Sequence, residues 1–337
     1  MVKAIEEYMS KKKDFSGVVL VSKGDEVLYK EAFGWKNREQ SIKNDLQTKF
    51  YVGSMISKPI TALSIMQLID RGMVSLEQDI AEFFPFYKGK GMTIHHLLNH
   101  TSGIVNYMML RKKVLWHQDY TPEQILQIVE TENVKFTPGK KASYNNTAYL
   151  MLGLIIEKMT GLPYEQYVRK NILEPAQMTD TSFIRDGEEG FALNYVDHKK
   201  GPHISPTLFF ACGELVSTIE DVLKFDRALK NGLLANKDTI SLMEKPSYTG
   251  KFITVGYGWF IKNFMGHKSV CHGGNHMGGY TSHLERYLDD DVTVIVLSND
   301  IVSHSKLSPK DFGGTFIARE IAAIVFNDKL RFWQKII

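Results

Sequence analysis

Short apolar runs bounded by turn residues mark both ends of the chain, and longer apolar stretches with helical spacing fill its middle. Val18-Val19-Leu20-Val21 and Glu26-Val27-Leu28-Tyr29 flank Ser22-Lys23-Gly24-Asp25, the pattern of a β-hairpin. Residues 3–13 ahead of it have the spacing of an amphipathic helix, and Phe33-Gly34-Trp35 falls in a third short strand. Ala62-Leu63-Ser64-Ile65-Met66-Gln67-Leu68-Ile69 is apolar almost all round, so it predicts a buried helix that Gly72 ends. From residue 76 to 214 helical segments alternate with Gly, Pro and polar loops. One helix begins at Thr93, another covers residues 122–131, and the most apolar runs from Thr147 to Gly161. Residues 185–206, starting Arg185-Asp186-Gly187, predict a long polar loop. Strand patterns then return in Gly256-Tyr257-Gly258-Trp259-Phe260-Ile261, Ser269-Val270-Cys271-His272, residues 282–287 and Val292-Thr293-Val294-Ile295-Val296-Leu297, with Asp289-Asp290-Asp291 as a solvated turn. A helix over 314–326 closes the chain. The expected fold is α/β in the α+β sense: an antiparallel sheet built from both termini and flanked by helices, with an all-helical lobe inserted. Residues 1–75 and 215–337 would form the α/β lobe and residues 76–214 the helical one.

Composition changes this picture little. With 337 residues, 43% apolar and 23% charged, the chain can bury a large core. A net charge of +3 gives no footprint for nucleic acid, and no run approaches the roughly 18 apolar residues of a membrane helix. Two cysteines, Cys212 and Cys271, exclude a disulfide scaffold. The start, Met1-Val2-Lys3-Ala4-Ile5-Glu6-Glu7, is not an apolar leader, so the expectation is a cytoplasmic protein, or a secreted one if a leader was removed.

Three short motifs bear chemistry. Gly53-Ser54-Met55-Ile56-Ser57-Lys58 places a serine and a lysine about one helical turn apart ahead of the buried helix. A lysine withheld from water can give up its proton and then take one from a serine, which makes a weak alcohol nucleophilic. Tyr144-Asn145-Asn146 precedes the apolar helix at 147, and His272-Gly273-Gly274 lies on a predicted strand. Together, in this order, they resemble the S-x-x-K, Y-x-N and H-x-G motifs of the serine β-lactamase and D,D-peptidase superfamily, in the branch of class C β-lactamases, D-aminopeptidases and esterases. Leu97-Leu98-Asn99-His100-Thr101-Ser102-Gly103 and Gly213-Glu214-Leu215-Val216-Ser217-Thr218 support the resemblance, which covers roughly residues 10 to 325. The resemblance implies the transpeptidase-like fold and acyl transfer. Ser54 would attack, Lys58 would act as base, Tyr144 would relay a proton to the leaving group, and Asn146 would hold the lysine and a substrate amide. His272 would polarise Tyr144 or meet a substrate carboxylate. Backbone N–H groups of Ser54 and of the strand near Asn275 would hold the oxyanion, and Gly273 and Gly274 would leave room for substrate along that strand. It implies no cofactor and no metal, and a small-molecule or peptide substrate: a D-amino-acid peptide, a small ester or a β-lactam. The alternative is a non-catalytic protein that binds a peptide or cell-wall fragment in the same cleft.

Two departures from the pattern matter. The serine–lysine spacing is S-x-x-x-K, with Met55 where the serine would stand. In a helix of 3.6 residues per turn, i+3 falls about 60° short of a full turn and i+4 about 40° past it, so both keep the pair on one face. Pro59 lacks the N–H that would bond the Met55 carbonyl, which predicts a widened first turn; in the competing arrangement Met55 takes the serine position and the site is dead. The stretch His272-Gly273-Gly274-Asn275-His276-Met277-Gly278-Gly279-Tyr280 is one residue longer than the usual pattern, which alters the loop after the strand. Among the remaining candidates, His96 and His100 have i, i+4 spacing but no third ligand, so they are expected to brace loops. Cys271, next to His272 on a strand, should face the core.

Overall fold

The computed structural model describes residues 1–184, 190–276, 278–302 and 313–327. The start of the long polar loop, Arg185-Asp186-Gly187, and Met277 of the third motif lie outside the described residues.

The largest sheet gathers strands from both ends of the chain, as the apolar runs predict. Its chain-order strands are β1 (Gly17–Lys23), β2 (Glu26–Phe33), β3 (Tyr248–Thr249), β4 (Thr254–Val255), β5 (Phe260–Phe264), β6 (His267–His276), β7 (Tyr280–Tyr287) and β8 (Val292–Ser298). Their spatial order is β3-β4-β5-β6-β7-β8-β1-β2, and the pairings are antiparallel throughout. β1 pairs with β8, Gly17 opposite Ser298, so the N-terminal hairpin extends a C-terminal meander and β2 forms the edge of the sheet. Gly17 is required there: a Cβ would lie 2.0 Å from the Leu297 carbonyl oxygen.

Two apolar layers cover the sheet. On one face α1 (Val2–Ser10) and α9 (Gly313–Val325) pack through Ile5, Met9, Ile317 and Ile321 against Val19, Val21, Val294 and Val296. On the other, α2 (Ser54–Asp70), buried from Met55 to Leu68, joins Val18, Leu20, Ile295 and Leu297 to the helices that follow. Those are α3 (Ile94–Leu98), α4 (Pro122–Glu130), α5 (Asn146–Thr160) and α6 (Tyr164–Val168), connected by loops and single turns. α7 (Ile219–Lys230) and α8 (Lys237–Met243) return the chain to the sheet. Thr121 and Gln124 form a capping box on α4, and Gly161 at φ 71° closes α5. Among the described residues no helix is long and apolar enough to cross a membrane.

Two segments differ from the sequence reading. Gly256-Tyr257-Gly258-Trp259 is a bend, and the strand begins at Phe260. The cause is Gly258, at φ 81°, where a Cβ would fall 3.0 Å from the Pro59 Cα; the backbone turns here to let α2 pass. The described part of the polar loop is not structureless: Tyr195–Val196 and Lys199–Lys200 form a small hairpin that pairs in parallel with Asp300–Ile301.

Candidate active site

The entry to α2 is shaped by Gly53, whose φ of 52° and ψ of −140° turn the chain from Phe50–Tyr51 into the helix. A Cβ at Gly53 would sit 2.9 Å from the Tyr51 ring. The turn is tied from two sides: Val52 N–H donates to the Leu215 carbonyl at 3.1 Å, and Ser282 Oγ on β7 donates to the Val52 carbonyl at 2.7 Å. Ser54 therefore starts the helix beside the sheet.

From there the helix is α-helical through Pro59. The expected widened turn is replaced by a slight loosening, with Ser57 N–H reaching the Gly53 carbonyl at 3.4 Å. Pro59 is the sixth helical residue, so its missing N–H deprives only the Met55 carbonyl, one bond near the helix start. With regular turns kept, i+4 spacing brings Ser54 to Lys58: Nζ donates to Ser54 Oγ at 3.0 Å. Met55 is fully buried in the hydrophobic core.

Lys58 is buried and surrounded by acceptors. Its Nζ donates to Ser54 Oγ, to Asn146 Oδ1 at 2.7 Å and to the Cys212 carbonyl at 2.8 Å, matching the three N–H groups of an ammonium. Two aromatic faces stand over it, Tyr144 at 4.6 Å and Tyr149 at 5.3 Å from ring centre to Nζ. Among the described residues no carboxylate pairs with it. Ser54 Oγ in turn donates to the Cys212 carbonyl at 2.9 Å. This shared carbonyl is the element that sequence reasoning missed. A main-chain oxygen 158 residues away leaves no mark in residue type.

Asn145 caps α5 by accepting from Ala148 N–H at 3.2 Å, which sets Asn146 at the first helical position and Tyr144 just before the cap. His100 braces the same corner: its Nδ1 accepts from Asn145 N–H at 3.2 Å, and its ring lies 4.9 Å from that of Tyr144. Burial, then the Lys58 and His272 charges, pushes His100 well below the usual histidine range, so it is neutral. The Tyr144 hydroxyl has no hydrogen-bond partner among the described residues and is free to meet an incoming group.

His272 comes from β6 and packs against Tyr144 and Phe260 with ring centres 5.8 and 5.1 Å away. Burial, with the Lys58 charge second, lowers it to about 3. The ring is therefore neutral at pH 7, and its Nδ1, 2.7 Å from the Gly273 carbonyl, must carry the proton it donates there. Nε2 is left as a buried acceptor without a partner among the described residues. A ring that is neutral at pH 7 offers a substrate carboxylate no cation.

The two glycines of the motif also separate. At Gly274 a Cβ would lie 2.4 Å from Ser282 Oγ and 2.5 Å from the Val52 carbonyl, so only glycine lets β6 pass the first turn of α2. At Gly273 the nearest atom would be His283 Nδ1 at 3.5 Å, on the opposite face of the strand, so Gly273 opens no room for substrate beside Ser54. Asn275 is exposed and pairs with Thr281 in β7. The turn after the strand leans on the described part of the long loop. Gly278 accepts from Asn194, and a Cβ at Gly279 would strike the Tyr195 backbone at 2.3 Å.

One group of metal-type side chains lies on that opposite face: Cys271, His283 and Glu285, with ligand atoms within 4.8 Å of one another. It is already closed by hydrogen bonds, His283 Nε2 with Glu285 Oε2 at 3.0 Å, Ser269 Oγ with Glu285 Oε1 at 2.8 Å, and Thr315 Oγ1 with His283 Nδ1 at 3.0 Å. Burial opposes the Glu285 charge, but His283, Lys262 and Arg319 outweigh it and hold the carboxyl near 2. Those two cations oppose a metal ion as well, and burial pushes the Cys271 thiol up to about 12. The group is better fitted to bracing α9 on the sheet.

The model of the family described as Beta-lactamase matches residues 1–310. The chain belongs to that family. It is 29% identical over 324 residues to penicillin-binding protein 4* of Bacillus subtilis (strain 168), covering 87% of this chain and 70% of that one. To esterase EstB of Burkholderia gladioli it is 28% identical over 202 residues, 55% of this chain and 51% of the esterase. Among solved structures, the octameric penicillin-binding protein homologue from Pyrococcus abyssi superposes with a TM-score of 0.83 at 28% identity, over 97% of this chain and 78% of that one. The Beta-lactamase family thus accounts for the fold that the three ordered motifs implied.

Proposed function

We propose that this protein is a serine hydrolase that forms an acyl-enzyme on Ser54 from an uncharged ester or amide. The observation that carries the reading is the closed set of contacts around Ser54 Oγ, which receives a hydrogen bond from Lys58 at 3.0 Å and gives one to the Cys212 carbonyl at 2.9 Å. When Lys58 gives up to water the proton that points at Ser54, its lone pair faces Oγ, and the serine hydroxyl swings from Cys212 to Lys58. Asn146 and Cys212 keep the amine in place through its remaining two N–H groups. Ser54 Oγ then bonds to the substrate carbonyl carbon while its proton passes to Lys58. The oxyanion is held by the N–H groups of Ser54 and Asn275. The bond to the leaving group breaks as that group takes, through Tyr144, the proton that Lys58 received from Ser54, which restores the amine; water later adds to the acyl carbon and releases the acid, returning its proton to Ser54 Oγ.

The neutral His272 narrows the substrate. Its Nε2 lone pair accepts an N–H and repels a carboxylate. This favours an amide or ester without a negative charge at that position over a β-lactam or a peptide presenting its terminal carboxylate there. The relatives' names, an esterase and a penicillin-binding protein, span both classes.

The test is intact-mass spectrometry after incubation with a fluorophosphonate, followed by turnover of p-nitrophenyl esters and D-amino-acid amides. An adduct mapped to Ser54 and lost in Ser54→Ala is the expected result. A wild-type protein that no serine-directed probe modifies would overturn the reading in favour of a binding protein.

A further inference from the structure

The Cys212 carbonyl accepts from both Ser54 and Lys58, so whatever fixes its direction fixes the pair. The Cys212 thiol is not involved; its Sγ faces the Tyr107 hydroxyl at 3.4 Å. The residue before it, Ala211, has φ 55°, a left-handed conformation that a Cβ-bearing residue adopts only when held. Three sets of bonds hold it. Cys212 and Gly213 N–H both reach the Phe209 carbonyl at 2.9 Å. The Ala211 carbonyl accepts from Thr61 Oγ1 at 2.6 Å, one turn along α2 from Lys58. The Ala211 N–H donates to the side chain of Glu214, Oε1 at 2.8 Å. Among the described residues Glu214 is the one side chain that grips this main-chain turn from within its own segment.

We propose that Glu214 is a positioning residue for the Ser54–Lys58 pair: by holding the Ala211 N–H it keeps the left-handed turn that aims the Cys212 carbonyl at both. The inference rests on Ser54 being the nucleophile. The side chain is suited to the task because it sits as a neutral acid. Tyr51 lies beside it on the strand before Ser54, Tyr164 and Glu165 face it from α6, Glu157 from α5, and Cys212 from its own segment. Burial first, then Glu165 and Glu157, pushes its carboxyl up to about 8, against the pull of the Ala211 N–H. Among the described residues no cation pairs with it. A neutral acceptor of this length is reproduced by glutamine and abolished by alanine.

The experiment compares Glu214→Ala with Glu214→Gln in three readouts: the rate of Ser54 labelling by a fluorophosphonate, kcat and KM on a p-nitrophenyl ester, and the Cys212 carbonyl position in crystal structures. Expected for Glu214→Ala is a loss on the order of tenfold in kcat and in labelling rate with KM little changed, the cost of freeing one buried N–H at a turn that orients the nucleophile. Glu214→Gln restores most of that loss, and the carbonyl turns away from Ser54 only in the alanine variant. If Glu214→Ala does not fold, Thr61→Val frees the other end of the same turn and is read in the same way. Wild-type labelling with an unchanged rate in Glu214→Ala, or a glutamine variant as slow as alanine, overturns the inference and leaves the nucleophile standing. An unlabelled wild-type protein overturns the nucleophile instead, and the carbonyl position in the crystals still decides the role of Glu214.

Discussion

A neutral His272 has a thermodynamic consequence that can be measured without knowing the substrate. The ring is 2% exposed, and its folded-state value near 3 lies far below the ordinary 6.5 that it regains on unfolding. Between those two values the unfolded chain binds a proton that the folded chain refuses, so His272 contributes stability above pH 6.5 that is lost as pH falls toward 3. Each pH unit in that window costs about 1.4 kcal/mol, and going from pH 7 to pH 5 costs about 2 kcal/mol for this residue alone. His100 acts in the same direction, since it too is buried and lowered. Glu214 acts oppositely, because a raised carboxyl favours the folded state as pH falls. The wild-type slope is therefore a sum, and the difference between wild type and His272→Asn isolates the residue. Urea unfolding of both proteins at pH 7 and pH 5 should show the variant losing about 2 kcal/mol less than wild type over that interval. The imidazole signals of His272 should also stay those of the Nδ1–H tautomer down to about pH 4. Equal losses in the two proteins, or an imidazole that titrates near its ordinary value, would refute the reasoning and return a cation to the site.

Further outcomes follow from the same geometry. Lys58→Met removes the base while keeping the apolar stem, so kcat should fall on the order of a thousandfold while the fold persists, read by ester turnover and circular dichroism. Gly274→Ala forces a Cβ to 2.4 Å from Ser282 Oγ and 2.5 Å from the Val52 carbonyl. It should cost about 1–3 kcal/mol in urea unfolding and suppress Ser54 labelling, whereas Gly273→Ala, with its nearest atom at 3.5 Å, should do neither. Glu214 keeps its proton on folding between the ordinary 4.5 and about 8, so wild-type stability falls as pH rises through that window. Glu214→Gln lacks that term and should gain about 3–4 kcal/mol relative to wild type between pH 5 and pH 8; parallel curves would show that the acid ionises normally.

Much of this protein is written locally. The apolar runs at Val18–Val21 and Val292–Leu297 are strands of similar length that meet as neighbours in the sheet, in register from Val18 to Val21. Ser54 and Lys58 share a helix face because i and i+4 neighbours always do, so that contact at 3.0 Å follows from spacing once α2 is helical. That Tyr144-Asn145-Asn146 stands at the entry of the apolar helix was legible from the chain pattern, whereas the cap that Asn145 forms there was not read from it. What the chain pattern could not supply were contacts made by main-chain atoms and by the two faces of a strand. Gly256 to Trp259 has the look of a strand until Pro59 of α2 is seen to occupy the space that a Cβ at Gly258 would need. Gly273 and Gly274 are identical letters, yet β6 turns one toward His283 and the other into the first turn of α2. The charge of His272 depended on burial and on Lys58, and its tautomer on a carbonyl 2.7 Å away. Residue type and spacing thus determined the elements, their order and the pairing of serine with lysine, because these depend on neighbours in the chain. Only the tertiary structure decided the Cys212 carbonyl, the neutral histidine and the grip of Glu214, because hydrogen-bond direction and desolvation belong to atoms brought together from distant segments.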